Sequence, residues 1–577
     1  MKKKCGKKKI IILLKEISLS LILTFCFAEA LAQSPIINMS YFEQNGGVQL
    51  LLEDDQPLDQ ILVHPGIQLD HGSTPQKVYL YASQSGYNFL LENKIHFSTV
   101  PIAKVGLKMK DISNLVGFKS GVECLPHLDF YPTYEAYEEM LLTFEKNHSD
   151  ICQIINLGTL SSGRKILAAK ISGNLHAQND KPNFLYSSTM HGDETAGFPI
   201  MLQLIDHLLC NYNEDARITN LVNEINIFIN PLANPNGTYR AGNDSVAGAI
   251  RYNSSFADLN RNFPDPEDGL HPDGKTYQEE TTFFMAFADS VNIHLACNIH
   301  GGAEVANYPW DTFAHYPADW TWWEELCRSY ADTVHNYSSE NYFTDLNNGV
   351  TNGYAWYEVR GGRQDYMTYY KRAREFTLEI SSMKLLDSNL LPEIWSVNKN
   401  ALLNYMEESL FGLRGIIVDC VTGQPLKAEI IIPDHDIDNS SVFSDSITGR
   451  YFRFLDNGTY EVLVKSSDYE HYEFIANISD KQSLTMNVEL CPIIDTSIDD
   501  TAFENINYTI IDKLITFNNL PTAADIEVVV YDAIGRTIQS NKLHNKTFDF
   551  KGDLNPGIYW IQISTRINSK IIPVFIN

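Results

Sequence analysis

The chain has 577 residues, 44% of them hydrophobic, with 72 Asp and Glu against 44 Lys and Arg and a formal net charge of −28. That length exceeds what one hydrophobic core supports and calls for about three to four domains. The acidic balance argues against nucleic acid or an anionic membrane surface as a partner.

The first 32 residues read as an address rather than as structure. Lys2, Lys3, Lys4, Lys7, Lys8 and Lys9 form a basic start, an apolar stretch follows over about 17–28, and Ala30-Leu31-Ala32 is a small-x-small cleavage site. This predicts a secretory signal peptide over 1–32. Its apolar core is short for a membrane span, and no other long apolar run follows, so no transmembrane segment is expected. Cleavage removes seven Lys and two Glu and takes the net charge from −28 to −33. Seven cysteines remain, Cys124, Cys152, Cys210, Cys297, Cys327, Cys420 and Cys491, in a compartment that permits disulfides. Cys420 and Cys491 lie near the two ends of one later module and could pair, but spacing alone does not assign connectivity.

Residues 33–124 form an N-terminal module with strand patterns at 48–52 and 77–81. A helical turn and edge strand follow over 87–100. Over 125–412 helices and strands alternate. Helices are expected at 134–147, 196–210, 278–291 and 396–412. Strands are expected at 154–157, 166–171, 183–190, 225–230, 293–299 and 376–380. This predicts an α/β domain with a mixed, mostly buried sheet flanked by helices, and ligand residues beyond its strand ends. After 412 the texture becomes period-two alternation with tight turns. It predicts a β-sandwich over 413–492, a polar Asp-rich linker over 493–504, and a second small all-β sandwich over 505–577.

His191-Gly192-Asp193-Glu194 sits between an apolar strand and a helical pattern, and His300-Gly301-Gly302 ends a second apolar strand. Two imidazoles and one carboxylate with an open fourth position make a catalytic Zn2+ site, one per chain. A zinc peptidase also needs a base, a cation for the carbonyl and a substrate anchor. Arg251 precedes Asp258-Leu-Asn-Arg-Asn-Phe-Pro264, where Asn260 and Arg261 supply an amide and a guanidinium fork suited to a carboxylate. Glu379 lies in the apolar run Phe376-Thr-Leu-Glu-Ile380, where a carboxylate is costly without a task or a partner.

These motifs, HGDE, R-x8-NRNFPD, HGG-x5-YPWD, WY-x3-GG-x-QD and FTLE, resemble in order and spacing the zinc carboxypeptidases of the carboxypeptidase A superfamily. The resemblance covers about 125–412 and is nearest the regulatory branch typified by carboxypeptidases D, E and N. It implies that His191, Glu194 and His300 bind zinc, that Glu379 is the general base for the attacking water, and that Arg251 stabilises the oxyanion. It also implies that Asn260 and Arg261 clamp the substrate's terminal carboxylate and that Tyr357 caps the bound residue. Asp311 and Gln364 occupy positions resembling the family's specificity pocket, where an acidic residue favours C-terminal Lys or Arg. The chain departs from the branch at Arg360 and Arg363. A guanidinium from either, reaching the pocket, would oppose a basic substrate. Arg164 resembles an upstream subsite residue, with a plain turn as the other reading.

The region 33–124 loosely resembles the inhibitory prosegment of secreted carboxypeptidases, with an unrelated module as the alternative. Residues 413–492 resemble the transthyretin-like domain of the regulatory branch. Residues 505–577 resemble the C-terminal sorting domain of type IX secretion cargo, carried by Val530-Tyr-Asp-Ala-Ile-Gly-Arg536 and Leu554-Asn-Pro-Gly-Ile-Tyr-Trp560. The expected partners are a peptide or protein with a free C-terminus and, through that tail, the secretion machinery. The expected place is secreted or cell-surface. The rivals are the same zinc chemistry on cell-wall peptides or with an apolar or broad C-terminal preference, and a non-catalytic surface binding protein on a peptidase scaffold.

Overall fold

A computed structural model describes residues 37–493 and 506–576, apart from 65, 71–72, 74–76, 101–104, 120, 122, 176–180, 340, 512–513, 519, 521–525, 544–545, 551–553 and 565–568. The expected signal peptide and most of the expected linker lie outside these residues.

Strands β1 (Val48–Leu52), β2 (Ile67–Leu69), β3 (Tyr79–Ala82) and β4 (Phe97–Thr99) form an antiparallel sheet in the order β2-β3-β1-β4. Its helices include Gln84–Glu92, whose first turn is capped by the Ser83 hydroxyl accepting from Gly86 N. Phe42, Leu50, Leu80, Tyr87, Leu90 and Phe97 fill a separate small core. The next segment changes allegiance. Strand β5 (Met109–Lys110) pairs with β6 (Tyr131–Pro132), and Ile112, Leu115 and Phe118 pack into the large core of the α/β region.

That region is built on an eight-stranded sheet. Its strands are β7 (Cys152–Thr159), β8 (Lys165–Ile171), β9 (Asn183–Ser188), β10 (Asn226–Asn230), β11 (Leu295–His300), β12 (Ala303–Tyr308), β13 (Val350–Asn352) and β14 (Arg374–Ser381). They run in the order β13-β12-β14-β11-β9-β10-β8-β7. The pairs β9–β10, β9–β11, β11–β14 and β12–β13 are parallel and the rest antiparallel, so the sheet is mixed. Every residue of β9, β11 and β14 is buried, as expected for central strands covered on both faces by helices. The helix Tyr134–Asn147 falls on the expected residues. The closing helix is corrected to Leu391–Glu407: it starts earlier because Pro392 suits a first helical turn, and a short 3₁₀ turn follows it. The helix Trp320–Tyr337 was not anticipated, although Trp323, Leu326, Cys327, Tyr330, Ala331 and Val334 bury one face at helical spacing.

After 412, Gly412–Asp419 lies between Arg450–Arg453 and Ser483–Thr485. A second sheet runs Val442–Phe443, Glu429–Ile431, Gly458–Lys465, Tyr472–Ile478. The described chain divides into two units, one reaching to 466 with 471–489, the other 467–470 with 490–577. The second unit holds two sheets around Ile515, Phe517, Val528, Val530, Ile561 and Ile563. Cys124 and Cys210 form a disulfide, Cys420 and Cys491 are each disulfide-bonded, and Cys152, Cys297 and Cys327 are free and buried.

Within the first unit, Asp319 anchors the later strands to the α/β region. Its carboxylate accepts from Arg374 at 2.7 Å and from Arg453 at 2.9 Å, and all three side chains are buried. Asp319→Ala would leave buried Arg374 with carbonyl acceptors only and buried Arg453 with Asp436 as its one carboxylate. It is expected to cost about 3–5 kcal/mol, read as a shift in the chemical denaturation midpoint, whereas a loss under 1 kcal/mol would contradict the account.

Candidate active site

The strand register assembles the centre. In the parallel β11–β14 pair His300, the last residue of β11, lies directly opposite Glu379, so the two side chains stand side by side in the middle of the sheet. His191 and Glu194 come from the turn after β9, entered through Thr189, which has φ 59°. Gly192 is required there, because a Cβ would lie 2.4 Å from the Gly237 carbonyl carbon.

Three donor atoms converge. His191 Nδ1 lies 3.0 Å from Glu194 Oε1 and 3.1 Å from His300 Nδ1, and His300 Nδ1 lies 2.8 Å from Glu194 Oε2. All three residues are at most 1% exposed. This donor set fits a zinc ion, which favours nitrogen and carboxylate oxygen. Burial pushes the His300 imidazole down to about 4, so the ring is neutral and able to coordinate. The far ring nitrogens are held too. His191 Nε2 meets Asp258 Oδ1 at 3.1 Å, and His300 Nε2 lies 2.7 Å from the Asn298 amide. Turning that amide end for end lets Asn298 Oδ1, otherwise buried without a partner, accept the Nε2 proton.

Arg251 backs the same centre. It donates to Asp258 Oδ2 through Nε at 3.0 Å, and its Nη1 lies 3.1 Å from His191 Nδ1 and 3.4 Å from Glu194 Oε1. Burial opposes its charge, yet Asp258 and Glu194 hold the guanidinium protonated. Burial and the charge of Glu194 raise the Glu379 carboxyl well above the ordinary carboxylate range.

A second cluster adjoins the first. The short turn Leu259–Arg261 is capped by Asp258, whose Oδ1 accepts from Asn260 N at 2.9 Å, so one carboxylate orients both Arg251 and the Asn260–Arg261 pair. Burial raises the Tyr357 phenol, which sits in the fields of Arg261, Arg251, Glu379 and Asp311. Asp311 Oδ1 accepts from Gln364 Nε2 at 3.0 Å and from Asn307 Nδ2 at 3.2 Å. Those bonds turn Asn307 Oδ1 and Gln364 Oε1 away, where both are buried without a hydrogen-bond partner. Gly353 leaves room for this wall, since a Cβ would come within 1.9 Å of Asp311 Oδ1. Burial pushes the Asp311 carboxyl up to about 6, and burial with the charge of Asp311 raises Asp365 further, so of the two Asp311 ionises first.

The two doubtful guanidiniums point elsewhere. Arg363 forms a bidentate pair with buried Glu375, at 3.0 and 3.2 Å, and covers the Phe284 ring. Arg360 is engaged with Glu358, Glu267 and the Thr312 hydroxyl. Arg164 serves the chain 236–243, donating to Asn236, Asn243 and the Tyr239 carbonyl. Sequence reasoning left Asp258, Asn298 and Asn307 without roles. Asn298 was within reach, because it lies two residues before His300 and shares its strand face.

A model of the zinc carboxypeptidase family matches residues 137–401. Mouse carboxypeptidase M is 31% identical over 365 residues, covering 60% of this chain and 80% of that protein. The chain belongs to the zinc carboxypeptidase family. The Arabidopsis thaliana carboxypeptidase SOL1 is 30% identical over 59% of this chain and 68% of its own length. Human carboxypeptidase D is 29% identical over 65% of this chain, which spans only 28% of that protein. This zinc carboxypeptidase is thus a metallocarboxypeptidase hydrolase using one Zn2+, for which His191, Glu194 and His300 supply the His-Glu-His site.

Proposed function

We propose that the chain is exported and removes single C-terminal residues from peptides or proteins, preferring Lys and Arg. The observation that carries the preference is the wall around Asp311. A buried carboxylate stands beside two buried amide oxygens, those of Asn307 and Gln364, that have no hydrogen-bond partner, and neither kind of group has a proton to give at neutral pH. A guanidinium or ammonium supplies only donors, whereas an apolar side chain would leave these acceptors buried and unsatisfied.

Zinc at the His191–Glu194–His300 site would polarise the scissile carbonyl and acidify water. Arg261, with the Asn260 amide, grips the terminal carboxylate, which only a chain end offers. The Tyr357 phenol closes over the bound residue. Arg251 steadies the charge that develops on the carbonyl oxygen, and Glu379 takes the proton from water and passes it to the leaving amine.

Export rests on the basic start, apolar stretch and Ala30-Leu31-Ala32 site, and no helix of the described residues is long and apolar enough to cross a membrane. The transthyretin-like reading of 413–492 and the sorting reading of 505–577 rest on sequence order and motifs, and on sheets that suit small all-β modules.

The test is kcat/KM on short acylated peptides ending in Lys, Arg, Leu or Phe. Asp311→Ala is expected to lower the basic-to-apolar ratio by about 10–200-fold. Asp311 is charged above about 6, so KM for a basic substrate should rise as pH falls through that value while KM for a Leu substrate stays level. A wild-type enzyme favouring Leu or Phe would overturn the preference.

A further inference from the structure

His300 and Glu379 stand toward the C-terminal ends of β11 and β14. The other ends of the same two strands carry a different chemistry. There a cavity of about 290 Å³ opens between the α/β region and the strands that follow 412. His294 and Arg372 line it from one side, and Lys427, Phe443 and Phe452 from the other. Its size is close to the lower end of the roughly 300–1,000 Å³ typical of small-ligand sites.

The polar groups of this lining are donors with capacity left. His294 Nδ1 accepts from the Asn183 backbone N–H at 2.9 Å, so the neutral ring carries its proton on Nε2. Burial lowers that imidazole to about 4, which keeps it neutral. Among the described residues, Nε2 has only the Asn292 amide as a hydrogen-bonding neighbour, at 3.5 Å, long for a hydrogen bond. The Arg372 side chain is 23% exposed and spends Nη1 alone on Glu429 and Ser441. Its Nε and Nη2 donate to no described residue, so a largely buried guanidinium keeps donors in reserve. Lys427 forms no ion pair with a described residue, and its ammonium rests 5.1 Å from the Phe443 ring centroid. The Arg372 guanidinium lies 4.4 Å from the same centroid, so two cations share one ring.

Nothing of opposite charge in the lining is free to balance them. Asp289 is the one carboxylate among the described lining residues, and Lys371 holds it. Around the donors stand buried Ile293, Val442, Phe452 and Phe454. The matching ligand is therefore rich in acceptors at one end and apolar at the other. The backbone at Arg372 has φ 56°, in the left-handed region that a residue with a side chain enters at a cost.

We propose that this cavity is a second binding site, for a small organic anion that carries a phosphate or carboxylate on an aromatic or other apolar body. The anionic oxygens accept from His294, Arg372 and Lys427, and the body packs on Phe443 and Phe452. His294 and Arg372 belong to the α/β region, Lys427 and Phe443 to the later strands, so the bound anion fastens one to the other. The site is independent of the zinc centre and of the reaction there.

The experiment is calorimetric titration of the zinc-loaded full chain with phenyl phosphate, phenylacetate and phenol. Arg261→Ala serves as the parent protein, so that binding at the terminal-carboxylate clamp is not scored. At least one of the two anions should bind this parent, and its Tm should rise with the anion's concentration. The tighter of the two anions tells a phosphorylated ligand from a carboxylate. Lys427→Glu in the same parent should weaken that binding by at least about tenfold. Lys427 is exposed, so the variant should fold, and Lys427→Glu alone should leave kcat/KM within about twofold. The proposal is overturned if neither anion binds the Arg261→Ala protein, if phenol binds as tightly as the anions, or if Lys427→Glu binds like its parent. The carboxypeptidase reading stands under each of these results.

Discussion

Glu379→Gln is expected to keep one zinc per chain and to lose turnover by about 10²–10⁴-fold. The strand register places Glu379 beside His300, while the converging donor atoms belong to His191, Glu194 and His300. The amide matches the carboxylate in shape and keeps β14 packed, so the metal site should persist. An amide cannot accept the proton that the carboxylate takes from water. Metal analysis of the purified variant, read alongside its kcat, checks both halves. Turnover like that of the wild type would remove Glu379 from the mechanism.

His300→Ala is expected to lose the metal and, with it, measurable turnover. Two donors would remain of three, and Asn298 would lose the ring that orients it. The large core, held by β9, β11 and β14, should still form, so the variant should be folded by circular dichroism and inactive at any added zinc concentration that leaves the protein soluble. Full activity with stoichiometric zinc would show that the ion is held elsewhere. The two variants separate roles that a loss of activity alone would merge: one keeps the metal and cannot move the proton, the other cannot keep the metal.

Much of the α/β region was legible because its elements carry their own periodicity. The helix Tyr134–Asn147 has a Thr133 cap and a clear apolar stripe, and β9 and β11 are short, mainly apolar strands buried along their whole length. The zinc donors were legible because strand ends place them. The partners that orient those donors were not, because a contact such as His191 with Asp258 joins residues 67 apart through tertiary packing. The same holds for Arg363. Its charge is plain in the sequence, but its direction depends on Glu375, a buried carboxylate twelve residues on in β14. The contacts of the N-terminal module were hidden too: Asp70 meets Lys384 and Tyr81 donates to Asp193, pairs that no local pattern signals.

A metallocarboxypeptidase cuts one residue from a free chain end. Mass spectrometry of a short acylated peptide ending in Arg, presented as the free acid and as the C-terminal amide, tests it most directly. The acid should release a single Arg, dependent on zinc, and the amide should stay largely intact because Arg261 has no carboxylate to hold. Internal fragments, or equal cleavage of the amide, would contradict it.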